Sequence, residues 1–101
     1  MSVLGEFDRH LGRCIDFLEA SDAEAAYAWA TRLLEARAIA TDDLTTAAKR
    51  VIALTAATPS LGSIAFASGA EADAFRVICD PMLEISCAIA GVPAAKRPKR
   101  S

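Results

Sequence analysis

A single histidine, three cysteines and five glycines in 101 residues leave little material for catalysis. No C-x-x-C pair or other ligand-like spacing is present, and the odd cysteine count argues against a disulfide framework, so reduced thiols are expected. No glycine-rich loop is available to cradle a phosphate, and Ser60-Leu61-Gly62-Ser63 reads as a turn rather than a nucleophile elbow. No window reaches the roughly 18 uninterrupted apolar residues that a membrane span needs. The first six residues lack the basic start and apolar stretch of a signal peptide, so a cytoplasmic protein is expected. Segments with the two-residue alternation of strands are also missing. The net charge of −2 excludes a nucleic-acid platform spread over the whole surface.

What is present is alanine and helical periodicity. The chain is 53% hydrophobic with a mean hydropathy of +0.29, and much of that excess is alanine, the strongest helix former because it loses no side-chain entropy on folding. Its length suits one domain. Ser21 with Glu24, and Ser68 with Glu71, have capping-box spacing. Thr41 with Asp42 and Asp43 places a cap and two carboxylates at the positive end of a helix. Gly91 followed by Pro93 is a stop signal. These marks predict helices over 2–19, 22–37, 42–57 and 69–90. They form one domain, 1–92, followed by a basic tail, 93–101, that should be mobile.

The first predicted helix carries Leu4, Phe7, Leu11, Cys14 and Leu18 at alternating spacings of three and four, widened by Val3, Ile15 and Phe17 to a stripe of roughly 160°. The second has Ala26, Trp29, Ala30, Leu33 and Leu34 against Glu24, Thr31, Arg32 and Glu35. The third has Leu44, Ala47, Ala48, Val51, Leu54 and Thr55 against Asp42, Thr45 and Lys49. In the fourth, Phe75, Ile78, Met82, Ile85 and Ile89 keep the rhythm. Val77, Cys79, Leu83 and Val92 extend its apolar surface beyond half the circumference, leaving a wedge of Asp73, Arg76, Asp80 and Glu84. Such a helix is either central to the bundle or shared with another chain. The rhythm crosses Pro81 in phase, which predicts a continuous helix kinked there. The alternative is a break with Asp80 as N-cap and Pro81 at the first helical position. Short links predict an all-α, antiparallel four-helix bundle, dimeric through the surplus face of the last helix. The segment 57–67, with Leu61, Ile64 and Phe66, is too apolar for a solvated loop and should form a short helix or a flap packed on the bundle.

Candidate chemistry is sparse. His10 and Cys14 share a helix face at the spacing of half a zinc site, but two further ligands are needed, and Cys79 and Cys87 lie about 12 Å apart along a helix. Both His10 and Cys14 therefore read as structural, and no metal or cofactor is expected. Cys87, at the edge of the charged wedge, is the thiol expected to be most exposed. Glu84 beside it would raise its pKa rather than activate it. Asp73, Asp80 and Glu84 read as a solvated face rather than an acid–base pair. His10 as a phosphotransfer acceptor finds only a loose match in Leu11, Gly12 and Arg13. Tyr27 and Trp29 border the second stripe as core edge or interface aromatics.

The tail cations Lys96, Arg97, Lys99 and Arg100 could grip an acidic partner, or nucleic-acid phosphate weakly and without sequence readout. The expected function is a non-catalytic protein-interaction module, a regulatory adaptor, chaperone or anti-activator. It would act as a homodimer and on an unidentified protein partner through Phe75, Ile78, Met82, Ile85, Ile89, Trp29 and Tyr27. The alternative is a nucleic-acid-associated regulator using the basic tail, and the third reading is a small metal-binding or phosphotransfer protein built on His10.

Overall fold

In a computed structural model, which describes residues 2–56, 64, 66 and 68–92, the chain forms four helices. They are α1 (Val3–Ala20), α2 (Ala26–Ala40), α3 (Leu44–Ala56) and α4 (Gly69–Ala90), with no strand among the described residues. Each helix packs against the next in sequence, and α4 closes the ring against α1. Along the α1–α4 seam the partners step in opposite directions. Ser21 meets Glu71, Phe17 meets Phe75, and Cys14 meets Ile78 and Cys79.

The apolar stripes form one core. Phe7, Leu11, Cys14, Ile15 and Leu18 of α1 are buried with Trp29 and Leu33 of α2, Val51 of α3, and Phe75 and Met82 of α4. Six alanines of α2 and α3, namely Ala26, Ala30, Ala36, Ala40, Ala47 and Ala48, are buried with them. Their short side chains let helix backbones approach closely where longer residues would hold them apart. Ile64 is buried, and Phe66 joins Phe17 and Phe75 in a three-ring cluster with centroids 5.2–5.9 Å apart. The packing expected of Ile64 and Phe66 is thus present, while Leu61 lies outside the described residues.

The ends of α4 follow local rules. Ser68 Oγ accepts from the Glu71 amide at 3.1 Å, and Gly91 at φ 73° lets Val92 N–H reach the Cys87 carbonyl at 2.9 Å. That bond, with Gly91 N–H to Ala88 O, closes a Schellman motif. α4 runs unbroken through Pro81, so the alternative start at Asp80 is not adopted.

Two other expected caps are displaced. Ser21 does not begin α2, which starts at Ala26 with no side-chain cap. The Ser21 hydroxyl instead donates to Glu71 Oε1 at 2.7 Å and accepts from the Ala23 amide, so a contact to α4 outcompetes the local capping box. At α3 the capping group is Asp43, whose carboxylate accepts from both the amide and the hydroxyl of Thr46. These bonds hold its carboxyl below the usual range. Thr41 turns back to donate to the Ala38 carbonyl at the end of α2.

Asp8 and Arg37 tie α1 to α2 through two parallel bonds, Nε to Oδ1 at 2.6 Å and Nη2 to Oδ2 at 2.9 Å. Gly12 lies beside this pair, and a Cβ there would sit 3.6 Å from the guanidinium, an ordinary van der Waals contact. The Arg37 hydrogen bond holds the Asp8 carboxyl below its ordinary value of 3.8. A depressed carboxylate pKa stabilises the fold above the unfolded value, and that contribution is lost as pH falls through the folded one. Both side chains remain substantially exposed, so the pair should contribute only about 0.5 kcal/mol. Asp8→Asn should lower the urea midpoint slightly near neutral pH, and the difference from the parent should shrink as the pH falls below the ordinary carboxylate value of 3.8 and through the lowered folded one.

Candidate functional surfaces

The α4 residues expected at a partner interface lie inside the protein. Phe75 and Met82 are buried, and Ile78, Ile85 and Ile89 are partly buried against the core. With α1 on one side and α3 on the other, α4 has two neighbours to receive its broad apolar face. Its outward line is also not centred on the charged wedge. Ala70, Ala74, Val77 and Ala88 are exposed, with Val77 at 70%, whereas along the Asp73, Asp80, Cys87 line exposure falls steadily until Cys87 is buried. This overturns the expectation that Cys87 is the most exposed thiol: Cys79 is the only partly exposed one. Periodicity fixes the relative angles of residues on a helix, but the neighbours decide which angle faces solvent.

Trp29 is core, with Arg32 stacked on its ring at 4.4 Å, the outer edge being covered by a cation–π contact. Tyr27 lies at the opposite extreme, 77% exposed. One turn and two turns on, Thr31 and Leu34 continue its line, and Ala38 extends it. All are exposed, Leu34 at 44%, and the line contains no charged residue. α2, like α4, therefore carries apolar residues on both its inner and outer faces, and its outer line is the one that includes an aromatic ring. The sequence signal was available in Tyr27, Leu34 and Ala38 at spacings of seven and four, opposite the alanines. Leu34, expected in the inward stripe, faces outward instead.

The candidates for chemistry are dispersed. His10 is half-buried, and its Nδ1 is enclosed without a hydrogen-bond partner in the protein. Among the described residues no group of three or more histidines, cysteines, aspartates and glutamates is placed to hold a metal ion. Asp73 pairs with Arg76 at 3.3 Å on the surface, and Glu84 is exposed, so these carboxylates do not share an apolar pocket. An open cleft is lined by Phe17, Ala20, Ser21, Asp22 and Glu71, and its hydroxyl and carboxylate are joined by the Ser21–Glu71 bond that ties α1's end to α4. Among the described residues no helix is long and apolar enough to cross a membrane. The expected tail contacts through Lys96, Arg97, Lys99 and Arg100 lie outside the described residues. The chain matches no family model, no curated protein and no solved structure.

Proposed function

We propose that this protein is a non-catalytic helical interaction module that works as a homodimer, with a second copy docking along the outer face of α2. The observation that carries this reading is the uncharged exposed line Tyr27, Thr31, Leu34 and Ala38. Tyrosine offers a large, rigid contact area at low entropic cost and is enriched at the centres of interfaces. A self-complementary face suits a two-fold dimer, because each copy presents the same patch. The line itself brings no like charges together. We take the bundle to be antiparallel throughout, with α2 at the corner diagonal to α4. The reduced thiols fit a reducing compartment such as the cytoplasm.

A single helix face buries less than a standard interface of roughly 800 Å² per partner, so the dimer should be weak and concentration-dependent. Sedimentation equilibrium should show a reversible monomer–dimer mixture that Leu34→Glu converts to monomer. Leu34 faces solvent in the monomer, so this variant should keep the parent's helical signal and melting behaviour. A parent chain that stays monomeric at high concentration would overturn the dimer, and a variant that still dimerises would remove α2 as its face.

A further inference from the structure

We propose that Cys14 and Cys79 are an oxidation site, a thiol pair that hydroperoxides convert into a disulfide locking α1 to α4. The two residues are 65 positions apart in sequence, yet their sulfurs lie 3.6 Å from each other across the helix seam. Cys14 Sγ also donates to the Ile78 carbonyl at 3.7 Å. Either thiol can donate the contact between the two sulfurs, so each can present a lone pair to the other. A disulfide needs the sulfurs at about 2.05 Å, so closure requires an approach of about 1.5 Å, within reach of small rotamer and helix adjustments.

The remaining thiol is placed differently. Cys87 is buried on the same helix as Cys79 and eight positions beyond it, about 12 Å along the axis, so the fold selects one pair out of the three that are possible. Cys79 is the more accessible member, while Cys14 is fully buried. The order of events follows from that difference. The Cys79 thiolate attacks one peroxide oxygen and the O–O bond breaks, giving a sulfenic acid and releasing water from hydrogen peroxide. Cys14 Sγ then attacks the Cys79 sulfur, the S–O bond breaks, and a second water leaves with the Cys14 proton. Two electrons pass from the sulfurs to the peroxide, and two thiols become one disulfide.

The contact with Cys14, burial and the neighbouring Asp80 all push the Cys79 thiol up, which keeps it protonated and the first step slow. The disulfide clamps the two helices that bear the aromatic cluster, on a seam separate from the exposed face of α2.

The test uses the full chain with hydrogen peroxide, followed by alkylation, intact mass and peptide mapping. The native chain should lose about 2 Da, yield one Cys14–Cys79 cross-linked peptide, and leave one alkylatable thiol at Cys87. Cys79→Ser should abolish the loss and Cys87→Ser should retain it. Chain oxidised in strong denaturant should give mixed pairings, which ties the selectivity to the fold. The cross-linked form should melt roughly 10–20 °C higher, as expected for closing a long loop without strain. Native pairing that involves Cys87 would overturn the proposal. So would oxygen added at Cys79 while Cys14 stays alkylatable, or three intact thiols under conditions that oxidise the denatured chain.

Discussion

Phe75→Ala should destabilise the protein by about 3–5 kcal/mol, a large share of the roughly 5–15 kcal/mol that holds a domain of this size together. Phe75 is buried and touches both other rings of the cluster, with centroids 5.4 Å from Phe17 and 5.2 Å from Phe66. Truncation removes the transfer energy of the ring and leaves a cavity bounded by two aromatics that cannot both collapse into it. Urea unfolding followed by circular dichroism should show a large fall in midpoint at an unchanged slope. Phe75→Leu, which keeps most of the volume, should cost far less. Combining Phe75→Ala with Phe17→Ala should give less than the sum of the two, with a coupling of about 0.5–1.5 kcal/mol from the ring pair. The measurement also decides between two roles for α4. A residue of a docking face would change the association constant and leave monomer stability nearly intact; a loss below about 1 kcal/mol with a weakened dimer would return Phe75 to an interface.

Pro81→Ala should act in the opposite direction, stabilising the chain by about 2 kcal/mol. Pro81 lies well inside α4, which continues nine residues past it to Ala90. The ring removes the amide that would bond the Val77 carbonyl and crowds that same carbonyl, at a cost of about 3 kcal/mol relative to alanine. Alanine also frees the unfolded chain, which returns about 0.4–1 kcal/mol of the gain. The expected readout is a melting temperature higher by roughly 10 °C. Pro81→Gly should gain about 1 kcal/mol less, because glycine restores the amide but not the helix propensity. A destabilised Pro81→Ala would instead mean that the packing of Met82, Leu83, Ser86 and Cys87 depends on the helix path that proline imposes.

Several parts of this structure could be read from the chain alone, and the failures share a cause. The limits of α4 came directly from Ser68 and Gly91, since each makes its bond within a few residues of itself and no distant group competes. Ser21 carried the same kind of signal and misled, because Glu71, 50 residues away in sequence, takes its hydroxyl. Leu34 and Cys87 were placed on the wrong side of their helices for a related reason. A helical wheel orders residues around an axis but does not say where the neighbouring helices stand.

The amino-acid sequence determined that this protein is helical, that four helices stand among its described residues, and which residues are competent for its core. Those properties follow from propensity, capping and a 3.6-residue period, all of which act over a few residues. The tertiary structure alone decided that Phe75 and Met82 of α4 face the core, that α2 presents Tyr27 and Leu34 outward, and that Cys14 meets Cys79 rather than Cys87. Each of these depends on the rotation and offset of one helix against another. Such offsets are set by side-chain packing across the whole core, which no local window of the chain contains.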